Sequence, residues 1–499
     1  MSQTSFDHVT IVVFGASGDL AKKMTYPAIF SLVKNGRIKK DQLHVVGTAR
    51  SKYAADEFRD KISAGLKGND ELTVKGFLER CSYVSLKGYE DAASYKDLDS
   101  EISKLESGSG KHLRLFYIAL PPSAFKDVSE NVRKSAWPKD KTNRLIVEKP
   151  YGKDTKSAKE LSKHLEEHYS EEELYRIDHY LGKDTVKCVL PLRFGANPTL
   201  AATWSREHIQ YVTVDFKEKF GAEGRGGYFD EFGMIRDVMQ NHIMQWIVMF
   251  GMEKPKSLSS KDIHEAKLKF HNDCLPVKPE DVLVGQYGAS KSDPEKKAYL
   301  DDETVDDNSK AATYATAILY VDNERWRGVP FVIRAGKALD ETRTEVIVHY
   351  KSPKDSLFAT EEGSTLTIRD KPDKTHTLSL FTKKVGSGFK IVSAPLVADF
   401  GEKASPLLKE EYVPTAYETL IYEAVQGDHT WFIPRQEAEE GWRVWDDAIK
   451  GTEDRKPFIY EYGSAGPKEE AEFLKKYGVH FGTGANTTVD VAQSFSGKH

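Results

Sequence analysis

Hydrophobic positions along the chain fall into two regimes. Early on they come as short, unbroken runs: His8–Phe14, Leu43–Thr48, Leu113–Leu120 and Arg144–Val147. Runs of this length predict strands buried on both faces, as in a parallel sheet. Between them apolar residues recur at helical spacing. Leu20, Met24, Ile29, Leu32 and Val33 supply the face of a helix predicted from Gly18 to about Asn35, where Asn35-Gly36 stops it. Another helix is predicted over about Ser123–Ala136. Strand, helix and strand in this order imply parallel neighbours joined by a right-handed crossover.

After about Ile177 the period becomes two. Ile209–Phe216, Glu345–Tyr350, Thr365–Arg369 and Thr375–Thr382 alternate, which predicts antiparallel strands with one wet face. A long, largely apolar helix is predicted from about Phe232 to Met249. The fold class is therefore α/β followed by α+β. An N-terminal Rossmann-like dinucleotide-binding domain is expected over residues 1–177. A larger α+β domain with an antiparallel β-sheet is expected over 178–499. The polar run Glu106–Gly110 is too short to be an interdomain linker. Residues from about Gly482 onward are rich in Gly, Thr and Ser and are expected to be mobile.

Composition narrows the function. The 499 residues are 39% hydrophobic and 30% charged, with a net charge of −5. This is a globular composition, and its mildly acidic balance argues against a general nucleic-acid binder. No apolar run approaches the ~18 residues of a spanning helix. Met1–Thr10 lacks the pattern of a secretory signal. Cys81, Cys188 and Cys274 are far apart and give neither a metal spacing nor a disulfide framework, as expected in a reducing, cytoplasmic compartment.

The first chemical signal is Gly15-Ala16-Ser17-Gly18-Asp19-Leu20-Ala21, between the first strand and the first helix. Glycines there let the backbone approach a pyrophosphate, and the helix start supplies N–H groups. The spacing is looser than G-x-G-x-x-G, and a plain strand-ending turn would also use glycine. After the second strand the chain reads Gly47-Thr-Ala-Arg50-Ser-Lys52. An NAD site usually has an acid here, whereas Arg50 can fork onto a 2′-phosphate, which favours NADP. Two solvated surface cations would look the same.

Three further segments gather polar residues. Glu148-Lys149-Pro-Tyr-Gly152 follows a buried strand and places Lys149 at the ligand edge of a parallel sheet; a solvated lysine in a turn is the plain alternative. Arg176-Ile-Asp178-His179-Tyr180-Leu-Gly-Lys183 is the densest cluster. His179 and Lys183, four apart, would share a face of a helical turn and suit a phosphate monoester, whereas Asp178 must serve another purpose. Asp237-Val-Met-Gln-Asn-His242 lies on the long apolar helix. His242 is either a satisfied core residue or a general base, and as a base it needs a carboxylate such as Asp178.

These segments resemble the glucose-6-phosphate dehydrogenase family. The matching pieces are Gly15–Lys22, Ala119–Pro122, Val147–Pro150, Arg176–Lys183, Phe216–Glu218, Gly224–Gly233, Arg236–His242, Gly328–Phe331 and Gly336–Ala338, in the family's order over most of the chain. The resemblance implies His242 as the base that takes the C1 hydroxyl proton and Asp178 as its partner. It implies His179, Tyr180 and Lys183 on the 6-phosphate, Lys149 on sugar and cofactor, and Glu218, Asp237 and Lys337 on the sugar. It implies NADP on the Gly15–Leu20 loop and Arg50, and no metal for the reaction. It implies that the larger domain binds substrate and mediates oligomerisation, and a homodimer or homotetramer is implied by analogy. Arg334 and Arg369 match residues of a second NADP site found in some relatives. Two departures stand out: Thr342-Arg343 where some relatives have Arg and a further base, and Lys371 where Gln is common. Rival readings are another NADP-linked sugar dehydrogenase using Lys149 as base, and a silent NADP sensor, which should have lost His242 or the phosphate cluster.

Overall fold

The computed structural model describes residues 6–106, 108–358, 363–401, 404–408, 410–479 and 488–490. The chain divides into two units. One comprises residues 1–186, 255–268 and 412–440, the other 187–254, 269–411 and 441–499.

The first unit carries strands β1 (His8–Phe14), β2 (Leu43–Ala49), β3 (Cys81–Ser85), β4 (His112–Ile118), β5 (Thr142–Glu148) and β6 (Leu174–Ile177). Their order is β3-β2-β1-β4-β5-β6, and every pair is parallel. Helices α1 (Tyr26–Lys34), α2 (Ala55–Ser63), α3 (Glu71–Leu78), α4 (Ala92–Leu105), α5 (Phe125–Ser135) and α6 (Thr155–Glu166) pack around the sheet. Alternate residues of β1 show both faces covered. Ile11 and Val13 join one apolar cluster, Val12 and Phe14 another, all at 0% exposure.

Two expectations change here. The single helix expected from Gly18 to Asn35 is a widened π-type turn over Ala21–Thr25 followed by α1. Pro27 has no N–H to donate, so the regular ladder cannot run through it, and Met24 ends up 40% exposed. A boundary at 177 also differs from the structural division, which continues to 186 and returns twice. Packing is the reason. Helix Ala416–Gln426 puts Tyr417, Leu420, Ile421, Ala424 and Val425 into the cluster of Ile11 and Leu115. Arg144 donates to the carbonyls of Ala424 and Val425, 2.7 Å each, and Ser31 Oγ donates to Glu418 at 2.8 Å.

In the second unit the described strands are β7 (Ile209–Lys217), β8 (Val282–Gly288), β9 (Tyr314–Leu319), β10 (Phe331–Gly336), β11 (Arg343–Tyr350), β12 (Thr365–Lys371), β13 (Thr375–Lys383), β14 (Lys390–Asp399), β15 (Phe458–Glu461) and β16 (Thr488–Asp490). They form one sheet in the order β15-β8-β9-β10-β7-β11-β12-β13-β14-β16. It is mostly antiparallel, but β7 pairs with β10 and β8 with β15 in parallel. Alternation predicts a wet face on β7, yet nearly all of it is buried, because it lies mid-sheet between β10 and β11. The alternation persists on β12, whose residues are in turn half-buried and buried, while β14 exposes adjacent Leu396 at 60% and Val397 at 58%, one on each face.

The long helix runs close to the expected span, though its first half is wider than an α-helix. Gly226–Met234 ends at Gly233, whose φ of 60° is left-handed. A π-type stretch follows over Ile235–Ile243, then a regular helix, Met244–Gly251, that is wholly buried. The tail expected to be mobile lies outside the described residues except for β16.

Leu420→Ala tests whether the Ala416–Gln426 helix completes the first unit's core. Truncating this fully buried side chain should destabilise the unit by about 2–5 kcal/mol in urea denaturation. A cost below about 1 kcal/mol would place the helix outside that core.

Candidate active site

Parallel strands bring their C-terminal ends to one edge, and the first unit's chemical residues gather there. After β1, Gly15 has a φ of +77°, and a Cβ on it would lie 2.2 Å from the Ala119 carbonyl oxygen. Only glycine fits this cradle. Gly15 N–H donates to Thr48 O at 2.9 Å and Gly18 N–H to Gly15 O at 2.8 Å, closing the loop that presents Ala16, Ser17 and Gly18. Asp19 pairs with Lys23 at 2.9 Å, and half-buried Leu20 leads into the first turn. One strand over, exposed Arg50 follows β2 with its guanidinium 5.2 Å from the Tyr89 ring centroid. That stacking orients the cation while leaving its donors at the surface. Lys52 is exposed beside it.

Half-buried Lys149 follows β5 on a cis peptide to Pro150. Beneath it, buried Glu148 faces the Tyr117 hydroxyl at 2.5 Å. Burial pushes the Glu148 carboxyl up to about 7, against the opposing pull of Tyr117 and Lys149. Next to β5, the end of β6 supplies Asp178, which is 1% exposed. Burial raises its pKa as well, while His179, the Tyr180 N–H, Lys149 and Lys267 favour the charged form.

Asp178 Oδ1 accepts from Tyr180 N–H at 2.9 Å, which caps a 3-10 turn over His179–Gly182. This cap corrects the expected helical pairing of His179 with Lys183. The turn ends at Gly182 and Lys183 is extended, with its ammonium 4.1 Å from the Tyr180 ring centroid. A Cβ on Gly182 would lie 2.5 Å from Ala416 O, so the turn is pressed against the Ala416–Gln426 helix. Tyr417 from that helix stacks on His179 with centroids 5.7 Å apart. Neither Tyr417 nor Tyr117 was flagged from the sequence. Both look like ordinary core aromatics, and only the tertiary fold brings them here.

In the second unit, Glu218 follows β7 and Lys337 follows β10, and parallel pairing of these strands sets them side by side. Lys337 Nζ lies 2.6 Å from Glu218 Oε2, both largely buried. The ammonium is also 5.4 Å from the Phe220 ring centroid and 5.3 Å from that of Phe229. Asp237 and His242 share the π-type stretch. Residues five apart diverge by about 140° around an α-helix, and the wider turn reduces this. His242 is 5% exposed. Its N–H donates to Asn241 Oδ1 at 2.7 Å, and Asn241 Nδ2 donates to Arg236 O at 2.8 Å.

Arg334 forks onto Asp215 at 2.7 and 2.6 Å, and Arg369 meets Glu345 at 2.5 Å. These carboxylates balance both charges, which gives the two arginines an internal role. Arg343 bridges Glu341 at 2.7 Å and Glu345 at 3.3 Å, while Lys371 is exposed at the end of β12.

The family model described as "Glucose-6-phosphate dehydrogenase, NAD binding domain" matches residues 12–188, and that of the "C-terminal domain" matches residues 190–482. A glucose-6-phosphate 1-dehydrogenase of Emericella nidulans is 41% identical, over 96% of this chain and 93% of its own. A solved glucose-6-phosphate dehydrogenase in complex with glucose 6-phosphate is 39% identical, with a TM-score of 0.89 over 96% of this chain and 100% of its own. The Mycobacterium avium enzyme is 29% identical, with a TM-score of 0.80 over 96% and 99%.

The buried Glu148 carboxyl makes a stability prediction. When folded it keeps its proton up to about pH 7, whereas an unfolded Glu loses it near 4.3. The folded state thus binds the extra proton between these values, and stability falls as pH rises through the window, by roughly 4 kcal/mol in all. Glu148→Gln should flatten that part of the profile in urea titrations at pH 5 and pH 7. An unchanged pH slope would assign it to another group.

Proposed function

The chain belongs to the glucose-6-phosphate dehydrogenase family, and from that premise we infer how its own residues carry out the oxidation of glucose 6-phosphate at C1. The observation that carries the reading is the single strand edge where the Gly15–Leu20 loop, Arg50, Lys149, Asp178, His179, Tyr180 and Lys183 follow four parallel strands. A glycine turn and helix start that suit a pyrophosphate, and donors and cations that suit a phosphate monoester, support the reading.

The Gly15–Leu20 turn suits a dinucleotide pyrophosphate, because exposed Gly18 leaves the backbone at the helix start bare of a side chain. Arg50 gives the site its preference for NADP, since a guanidinium forks onto the 2′-phosphate and no acid stands in its place. NADP supplies the hydride acceptor, C4 of its nicotinamide ring. His179, Tyr180 and Lys183 hold the 6-phosphate by charge and hydrogen bonding. Glu218, Asp237 and Lys337 receive the sugar hydroxyls, with the Glu218–Lys337 pair offering both an acceptor and donors. Lys149 touches sugar and cofactor.

His242 takes the C1 hydroxyl proton as the C1 hydride leaves, giving the 6-phosphogluconolactone. Asp178 steadies the charged imidazole. The stitched Asn241 amide fixes the backbone that carries the base, so geometry is preset before substrate arrives. The phosphate is remote from C1 and works by positioning. A homodimer or homotetramer fits the exposed Leu396 and Val397 of β14. Residence in a reducing cytoplasm fits the absence of a disulfide among Cys81, Cys188 and Cys274. No helix among the described residues is long and apolar enough to cross a membrane.

Reduction of NADP by glucose 6-phosphate tests the reading directly, with unphosphorylated glucose and NAD in parallel. Inert glucose and active glucose 6-phosphate are the expected pair, and equal rates would remove the phosphate cluster from substrate recognition. His242→Asn should lower turnover roughly 10²–10⁴-fold; near-normal turnover would shift the base to another residue such as Lys149. Arg50→Ala should weaken NADP binding about 10- to 150-fold in a fluorescence titration, and unchanged affinity would sink the 2′-phosphate assignment.

A further inference from the structure

Helix α6 is the crossover from β5 to β6, so its last turn lies at the sheet edge opposite Lys149 and Asp178. Three side chains outside the proposed reaction meet there. His164 sits in the last turn of α6, His168 follows one turn later, and Glu130 comes from α5. Their ligand atoms lie within 4.8 Å of one another, and all three residues are half-buried. The two imidazoles cross edge to face with centroids 5.0 Å apart.

The hydrogen bonds of His164 fix its tautomer. Nε2 lies 3.2 Å from Lys126 O and 3.4 Å from Ser129 Oγ. A carbonyl oxygen only accepts, so Nε2 carries the proton and Nδ1 keeps the lone pair. Ser129 Oγ itself donates to Lys126 O at 3.1 Å, which leaves its lone pairs to face the imidazole N–H. A ring that donates one N–H to a backbone carbonyl and offers the other nitrogen is the usual state of a metal-bound histidine. Lys134 engages Oε1 of Glu130, and a carboxylate has a second oxygen to give.

We propose that Glu130, His164 and His168 form a binding site for a zinc-type divalent cation that ties α5 to the end of α6. Two imidazole nitrogens and one carboxylate oxygen suit zinc, whereas magnesium and calcium favour all-oxygen shells. Zinc bonds of about 2.0–2.1 Å in a tetrahedron set ligand atoms about 3.3 Å apart. Closing from the present spacing therefore needs at most about 1.5 Å of side-chain movement. Half-exposed side chains can make it, and water completes the fourth position.

The test is calorimetric titration of the untagged, chelator-treated full chain with zinc chloride, and with magnesium chloride in parallel. A micromolar zinc site is expected that the double variant His164→Ala, His168→Ala lacks. Glu130→Gln, which keeps the shape of the side chain, should weaken it by about tenfold or more, since even outer-shell partners are worth about 10–100-fold. Lys134→Ala should tighten it, because the competing ammonium is gone. Zinc should raise the melting temperature of the parent and leave that of the double variant unchanged. The proposal fails if parent and double variant titrate alike, if the parent takes up no zinc, or if magnesium binds as well as zinc. The single variants Glu130→Gln and His168→Gln decide the matter should the double variant melt early in chelator.

Discussion

Parallel pairing of β1 with β2 and β4, and of β4 through β5 to β6, is the constraint on which the rest of the molecule depends. Each strand pair needs a crossover, each crossover returns the chain to the same starting edge, and every strand therefore ends on the other. The Gly15 turn, Arg50, Lys149 and Asp178 belong to widely separated parts of the sequence. They share one edge because each follows the C-terminal end of a strand in the same parallel sheet. The same rule governs the β7 and β10 pair in the second unit, where parallel register sets Glu218 beside Lys337.

Electrostatics at that edge is a contest between burial and charge. Glu148 and Asp178 are both removed from water, and desolvation is the largest influence on each. Charge and hydrogen bonding oppose it at both positions. Tyr117 and Lys149 favour the Glu148 anion, yet burial wins and its proton is retained to near neutrality. His179, the Tyr180 N–H, Lys149 and Lys267 favour the Asp178 anion, and burial still raises its pKa. Adjacent strands thus present two buried carboxyls on which desolvation outweighs several opposing contacts.

Much of this was legible in the sequence where a single physical rule dominates. Unbroken apolar runs gave the strands of the first unit, because burial on both faces leaves no polar alternate. The Gly15 turn was legible because its steric need is a local fact. The rest failed where tertiary contacts override local periodicity. His179 and Lys183 do not share a helical face, since the Asp178 cap closes a tighter turn. Two helices that apolar spacing predicts as regular each contain a π-type stretch, over Ala21–Thr25 and Ile235–Ile243. Strand β7 alternates on paper and is buried in fact, because its place mid-sheet was not readable. The carboxylate partners of Arg334 and Arg369, Asp215 and Glu345, come from neighbouring strands of the sheet and were not readable from sequence. Helix Ala416–Gln426 could not have been assigned to the first unit from its own residues at all.

That last helix has a consequence for synthesis. A ribosome releases the six parallel strands long before it reaches Tyr417, Leu420 and Ile421, which cover one face of them. At about 5–20 residues per second the interval from residue 186 to residue 440 is roughly 10–50 s. During that time the nascent chain carries a nearly complete sheet with an apolar seam still open to water. The first unit is thus the earliest to be translated and among the last to be finished, and a chaperone that shields apolar surface has a defined window in which to act.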